Sequence, residues 1–159
     1  MTDNGQQSDW FQIKTGVKQG CNMSGFLFLL VVDWIMRTVL ADTPMGIRWK
    51  MTSKLEDLDF ADDIALLSSS RGHTQQKIEK LHSTASRVGL NINKKKTKVL
   101  KINNKNQTAI TIDSDSEVIE PVEQFSYLGA TVSMAGGTSE DIKARLGKAR
   151  AVFRKLGKL

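Results

Sequence analysis

Two adjacent aspartates, Asp62 and Asp63, are the residues of this sequence best suited to chemistry. They interrupt an apolar stretch from Leu58 to Leu67, so their carboxylates are expected near a core, where an unpaired charge is unfavourable. A hard divalent cation such as Mg²⁺ would neutralise them, because it favours a few carboxylates together with phosphate oxygens. Two such ions can stabilise the attacking and leaving oxygens of a phosphoryl transfer. A pair of solvated turn residues is the alternative, since aspartate is common in turns.

Two short strands must position this pair. The pattern predicts strands at 54–60 and 63–68, with so few residues between them that a hairpin is indicated. Helices are predicted over 25–40 with Ser24 as N-cap, over 74–88 before Gly89, and from 139 to the end. The first helix has apolar residues around almost its whole circumference, and we therefore expect it to be deeply buried.

Further strands are predicted at 10–14, 99–102, 109–112 and 125–132. The segments 99–102 and 109–112 flank a polar turn that is predicted at 103–107. Strands and helices are mixed without regular βαβ alternation. This order predicts an α+β fold with a mainly antiparallel sheet.

Charge and composition narrow the class of protein. The formal net charge of +6 favours a polyanionic partner, although charge alone does not fix a fold. Cys21 is the only cysteine, which excludes a disulfide within the chain and a zinc site built from several thiolates. The longest apolar run, Phe26 to Val32, is too short for a membrane span, and no signal peptide is recognised. No membrane partner is expected, and the oligomeric state stays open.

The segment Phe60-Ala61-Asp62-Asp63 resembles the catalytic hairpin of reverse transcriptases, in the form found in non-LTR retrotransposons and group II introns. Other blocks of this family are matched in the same order. Gly-Val-Lys-Gln-Gly at 16–20 is similar to the loop before the helix that contacts template and nucleotide. Gly-Leu-Asn-Ile-Asn at 89–93 with Lys-Thr-Lys at 96–98, Phe-Ser-Tyr-Leu-Gly at 125–129, and the tail from 142 to 153 resemble the next block, the primer-grip strand and the first thumb helix.

The resemblance implies a role for each block. Asp62 and Asp63 are implied to be catalytic and to hold Mg²⁺, with Mn²⁺ as the alternative ion, while a primer 3′-hydroxyl attacks in line. Nucleotide and template binding is implied for Lys18, Gln19, Gly20, Phe60, Ala61, Lys96 and Lys98. Primer positioning is implied for Phe125, Tyr127, Leu128 and Gly129. Contact with the nucleic-acid backbone is implied for Lys148, Arg150 and Arg154.

The residues by themselves allow simpler interpretations of these blocks. Gly20 could serve turn geometry alone. The lysines around Lys96 could form a solvated or phosphate-contacting run. Phe125 and Tyr127 alternate on one strand face and could pack in a core. The last helix, with Arg150 and Arg154, could be a plain amphipathic surface helix.

The resemblance implies a fragment of an RNA-directed DNA polymerase, with a partial palm at 1–137 and the start of a thumb helix at 138–159. Expected partners are an RNA template, a DNA primer or duplex, and deoxynucleotides, in a nuclear or cytoplasmic ribonucleoprotein. Related enzymes carry another catalytic aspartate on an earlier palm strand, and no counterpart is found before residue 16. Asn22 and Gly25 stand where the family often has proline. The alternative function is an inactive, nucleic-acid-binding remnant of a retrotransposon, and the chain alone is not expected to polymerise.

Overall fold

The computed structural model of the chain describes residues 2–3, 6–7, 16, 20–41, 44–102, 109–112 and 118–157. The helices in these ranges are α1 (Asn22–Leu40), α2 (Arg71–Arg87) and α3 (Ser139–Leu156). The strands are β1 (Thr2–Asp3), β2 (Gln6–Gln7), β3 (Ile47–Arg48), β4 (Lys54–Leu55), β5 (Asp57–Phe60), β6 (Asp63–Leu66), β7 (Lys98–Leu100), β8 (Glu120–Val122), β9 (Gln124–Tyr127) and β10 (Ala130–Ser133). The predicted strand at 10–14 and the predicted turn at 103–107 lie outside the described residues.

The described strands pair two by two. The pairs β1–β2, β3–β4, β5–β6 and β9–β10 are antiparallel, and β7–β8 is parallel. The fold is therefore α+β with small, mainly antiparallel sheets, which confirms the predicted class.

Helix α2 lies between two apolar clusters and forms the centre of the core. On one side Leu81 and Ala85 pack against four residues of α1, which are Val32, Ile35, Met36 and Val39. On the other side Ile78 packs with Ile110, Ile112 and Ile119. Leu66 of β6 contacts both clusters, so the β5–β6 hairpin rests on this core.

Helix α1 is half exposed, and the expectation of deep burial was wrong. The α2 helix and the β5–β6 hairpin cover only the side that carries Val32, Ile35, Met36 and Val39. The apolar side chains on its other sides remain exposed, namely Met23, Phe26, Leu27, Leu29, Leu30 and Trp34. Its 19 residues are long and apolar enough to cross a membrane, a test that core helices of water-soluble proteins also pass. One side of α1 packs against α2 in the apolar core.

The predicted starts of α1 and α2 differ from the structure, whereas the predicted end of α2 is confirmed. The N-cap of α1 is Cys21, not Ser24, which lies in the first turn and donates its backbone N–H to Cys21 O at 3.0 Å. Helix α2 begins earlier than predicted because the Ser70 side chain accepts a hydrogen bond from the backbone N–H of His73. Gly89 follows α2 with φ +79°, the left-handed conformation expected after a helix end.

The strand predicted at 99–102 is present as β7, which pairs in parallel with β8. The segment 109–112 is not one of the described strands, and its contact with 118–119 consists of a bridge between Thr111 and Val118 and a hydrogen bond from Ile119 N–H to Ile110 O at 2.8 Å. Side chains of α2 also hold this segment. The Gln75 amide exchanges two hydrogen bonds with the Thr111 backbone, at 2.8 and 3.0 Å, and the Arg71 guanidinium donates to Ala109 O.

The predicted strand at 125–132 is a hairpin. Tyr127 pairs with Ala130, so Leu128 and Gly129 form a two-residue turn. Their φ values are +49° and +81°, as a type I′ turn requires. Leucine is unusual in this conformation, which is why the local sequence did not predict a turn here.

A buried ion pair joins α2 to the start of the β5–β6 hairpin. Lys77 is 3% exposed, and its ammonium donates to Glu56 Oε2 at 2.6 Å, Glu56 O at 3.0 Å and Leu67 O at 2.7 Å. The Glu56 carboxylate also accepts the backbone N–H groups of Met45 and Gly46. A Cβ on Gly46 would lie 2.1 Å from Leu55 O, so only glycine fits there. We call these residues the Lys77–Glu56 clamp.

Candidate active site

Asp62 and Asp63 lie at the tip of the β5–β6 hairpin. Phe60 pairs with Asp63, which leaves Ala61 and Asp62 as a two-residue turn. Ala61 has φ +56°, a strained value for a residue with a Cβ. Such strain is typical of functional sites and persists only where surrounding contacts enforce it. Both carboxylates are exposed at this bend.

The two faces of the hairpin are chemically different. Cross-strand partners share a face, so Asp57 and Asp59 lie on the same side as Leu66 and Ile64. That side packs against the core, and burial followed by the charge of Asp59 raises the pKa of Asp57. Asp63 lies with Phe60 on the opposite face. Asp63 is therefore exposed on the face that does not carry Ile64 and Leu66, with Asp62 beside it in the turn.

The donor atoms of Asp62 and Asp63 fit a hard divalent cation in part. Carboxylate oxygens are what Mg²⁺ prefers, and it commonly takes one or two of them and completes its shell with water and substrate phosphate. Among the residues that the structure describes, no third acidic, histidine or cysteine side chain joins them in a cluster able to hold a metal ion. Within the part of the chain that the structure describes, the hairpin thus offers two neighbouring carboxylates to a cation.

An open cleft of about 410 Å³ separates the turn from α1. Leu29, Val32 and Asp33 line it from the helix, and Asp59, Phe60 and Ala61 line it from the hairpin. Two predicted nucleotide-binding residues, Phe60 and Ala61, therefore face a cavity large enough for a small ligand. The two carboxylates on its walls would repel a triphosphate that arrived without cations.

Tyr127 connects the β9–β10 hairpin to the β5–β6 hairpin. Its hydroxyl oxygen lies 3.0 Å from Leu58 O and 3.1 Å from Asp63 O, and its single proton is shared between these two acceptors. Burial, and then the charges of Asp63, Asp59 and Asp57, raise the pKa of Tyr127, so the hydroxyl stays protonated and can donate. A predicted primer-positioning residue thus contacts the backbone of a predicted metal ligand.

Replacing Tyr127 with phenylalanine is expected to loosen the β5–β6 hairpin while preserving ring packing. The lost hydrogen bond should lower stability by about 1 kcal/mol and raise local amide exchange about fivefold. Hydrogen exchange of the β5 and β6 amides measures the effect. Ser126→Ala, which removes a neighbouring hydroxyl that makes no such bond, should leave exchange unchanged. Equal exchange in Tyr127→Phe and the wild type would contradict this role.

The other predicted nucleotide-binding residues differ in exposure and in whether they are already paired. Lys18 and Gln19 lie outside the described residues, and Gly20 is exposed with φ +84° just before α1. Lys96 is exposed in a turn that Asn93 closes by accepting hydrogen bonds from the backbone of Lys96 and Thr97. Lys98 is paired with the Glu120 carboxylate across β7 and β8. Lys98 is therefore less available to an added anion than Lys96.

The predicted backbone-contacting residues lie on α3, which has no buried residue. At 100° per residue, Arg150 and Arg154 share one side of the helix, and Lys148 lies nearly opposite them. Asp141 attaches α3 to β10, since its carboxylate accepts the Thr131 N–H at 2.9 Å. This hydrogen bond, together with Arg145, keeps the pKa of Asp141 below its usual value.

Sequence reasoning missed the Lys77–Glu56 clamp beneath this site. The stripe predicted for α2 contained Ile78, Leu81 and Ala85 but not Lys77. Lys77 lies four residues before Leu81, so helical spacing places it on the same buried side. That signal was present, but a lysine there is normally assigned to solvent, and its partner Glu56 lies 21 positions away.

Comparison with known proteins gives a consistent family. A sequence model described as reverse transcriptase (RNA-dependent DNA polymerase) matches residues 1–132. The retrovirus-related Pol polyprotein from the type-2 retrotransposable element R2DM of Drosophila melanogaster is 26% identical over 159 residues, covering 92% of this chain and 15% of that protein. A putative uncharacterized transposon-derived protein of Caenorhabditis elegans is 31% identical over 101 residues, covering 62% of this chain and 36% of that protein. The chain thus spans only a minor part of the length of either relative.

Proposed function

This chain belongs to the reverse transcriptase (RNA-dependent DNA polymerase) family, and we propose that it supplies the metal-binding hairpin and the primer-positioning hairpin of such a polymerase. The observation that supports this most is the pair of exposed carboxylates on a strained two-residue turn, which the Tyr127 hydroxyl ties to β9. In this proposal residues 1–137 are a partial palm and residues 138–159 begin the thumb.

The proposed reaction is extension of a DNA primer with deoxynucleotides on an RNA template. The primer 3′-hydroxyl oxygen forms a bond to the α-phosphorus of the nucleotide, and pyrophosphate leaves. Asp62 and Asp63 would hold Mg²⁺, or Mn²⁺ in its place. When bound, the ion lowers the charge of the triphosphate and makes the hydroxyl a better nucleophile.

The remaining side chains of the site have supporting roles in this proposal. Phe60 and Ala61 border the cleft in which the nucleotide would lie. Tyr127 would keep the turn in position relative to the primer end. Lys96, which is exposed, would neutralise the leaving pyrophosphate, whereas Lys98 is occupied by Glu120.

The second candidate is a nucleic-acid-binding remnant without activity. The incomplete donor set favours it, because among the described residues only Asp62 and Asp63 are available where the family uses a further aspartate. Two carboxylates leave the attacking and leaving oxygens with less stabilisation than the two-metal reaction needs.

A primer-extension assay separates these candidates. The 159-residue chain alone should give no product with Mg²⁺, deoxynucleotides and a primed RNA template, because its ligand set is incomplete. A chimaeric polymerase, in which residues 1–132 replace the matching segment of an active reverse transcriptase, should regain extension that EDTA abolishes. A chimaera that is folded and binds the primed template, yet is inactive, would contradict the polymerase proposal. Extension by the chain alone would contradict the incomplete-site argument.

A further inference from the structure

The tip of the β3–β4 hairpin, residues 48–54, is an ordered and exposed surface that has no role in the proposed reaction. Trp49 is 65% exposed and Met51 is 98% exposed. The loop is ordered by its own backbone, since the N–H groups of Trp49 and Lys50 both donate to Ser53 O, at 3.0 and 3.2 Å. The indole therefore stands in solvent on a defined turn rather than in a core.

The positive charges at this tip repel each other and lower its stability. Arg48 and Lys54 are directly opposed across β3 and β4, and like charges in that position repel each other. Lys54 donates to a neutral acceptor, Pro44 O, at 2.8 Å. No described carboxylate pairs with Arg48 or Lys50, and the nearby Glu56 is already held in the clamp. An external polyanion would relieve this repulsion.

We propose that the β3–β4 tip binds a single strand of nucleic acid, with a base stacked on Trp49 and phosphates against Arg48 and Lys50. An exposed aromatic face next to cations is the arrangement by which proteins hold single strands without reading their sequence. An acidic peptide would use the cations but not the indole plane, and a duplex would not present an unstacked base. The identity of the strand as template or primer rests on the proposed function, whereas binding itself does not.

The chain between the tip and the proposed catalytic turn limits their separation. Strands β4 and β5 lead from Lys54 to Asp62, so the two lie at most about 28 Å apart, the length of eight extended residues. Variants of Arg48, Trp49 and Lys50 leave Asp62 and Asp63 unchanged, so binding at the tip is measured independently of the chemical step.

Binding of labelled 12-nucleotide RNA and DNA to the 159-residue chain, followed by fluorescence anisotropy, tests the proposal. Trp49→Leu should weaken binding about tenfold at every salt concentration, because stacking is not electrostatic. The double variant Arg48→Gln, Lys50→Gln should reduce the slope of log K against log salt by about 1.4, as two fewer phosphate contacts predict. Matched controls are Trp34→Leu on α1 and Arg87→Gln on α2, both exposed, and neither should change binding.

The outcomes distinguish this site from the catalytic hairpin. Since the tip side chains are exposed, all variants should keep the wild-type circular dichroism, and none should lower the urea midpoint. The loss of binding in Trp49→Leu should be the same with and without EDTA, so failure of the metal-dependent polymerase proposal would leave this result intact. Tighter binding of RNA identifies a template strand, and tighter binding of DNA a primer strand. Unchanged binding in both tip variants, a preference for duplex, or binding of phosphatidylserine vesicles instead would overturn the proposal.

Discussion

Lys77→Met is expected to destabilise the chain by about 3 kcal/mol, since removing one partner of a buried ion pair leaves the other charge uncompensated. Glu56 is only 19% exposed, and the loss would also deprive Glu56 O and Leu67 O of their donor. Methionine has a similar volume, so the change tests charge rather than packing. Against a typical total stability of about 5–15 kcal/mol, such a loss is readily measured by urea denaturation.

The pH dependence of this effect has a defined sign. Burial raises the pKa of Glu56, but the hydrogen bonds from Lys77, Gly46 and Met45 outweigh it, and the folded pKa lies below its ordinary value. This carboxylate therefore stabilises the wild type above its unfolded pKa, and that stability is lost as pH falls through the folded pKa. In Lys77→Met the hydrogen bond and the charge of Lys77 are lost, so the folded pKa of Glu56 rises relative to the wild type and protonation costs less stability. The difference between the two proteins should shrink as pH falls from 7 to 4.

Two further variants test whether the loss of stability comes from the buried ion pair. Lys95→Met changes an exposed lysine and should stay within about 0.5 kcal/mol of the wild type. Adding Glu56→Gln to Lys77→Met removes the stranded charge and should recover part of the loss. A Lys77→Met protein as stable as the Lys95→Met control at pH 7 would show that the clamp does not hold the hairpin.

Asp62→Asn is expected to reduce primer extension by the chimaeric polymerase at least about 100-fold, because it removes the charge of a proposed metal ligand without changing side-chain size. In the isolated chain the same change should abolish broadening of the amide resonances of residues 60–64 by Mn²⁺ with a deoxynucleotide. The second readout does not depend on turnover. It therefore reports on Asp62 as a ligand even if the chain alone never extends a primer.

Asp57→Asn is the matched control for this prediction. Asp57 lies on the same hairpin but at the end away from the turn, where it pairs with Leu66 and does not line the cleft, so its replacement should lower extension less than tenfold. Asp63→Asn should resemble Asp62→Asn in the Mn²⁺ experiment. If Asp57→Asn were as damaging as Asp62→Asn, the assignment of ligands to the turn would be wrong.

The sequence predicted those parts of the fold that depend on local pattern. Alternating apolar residues and two acids gave the hairpin that the structure shows at Asp57–Leu66, and periodicity with Gly89 gave the end of α2. The strand at 125–132 was wrong because its turn depends on Leu128 adopting a positive φ, which residue preferences disfavour. The roles of Gln19, Lys96 and the basic residues of α3 remain predictions.

By itself, then, the sequence determined the class of fold, the family and the position of the paired aspartates, since each is encoded within a few neighbouring residues. Only the tertiary structure decided which contacts hold the hairpin with the paired aspartates in place. Tyr127 and Leu58 are 69 positions apart, and Lys77 and Glu56 are 21 apart, so neither contact has a local signature. The same holds for the parallel pairing of β7 with β8 and for the exposed half of α1. Such contacts depend on which surfaces meet when the chain packs, and that is a property of the whole core.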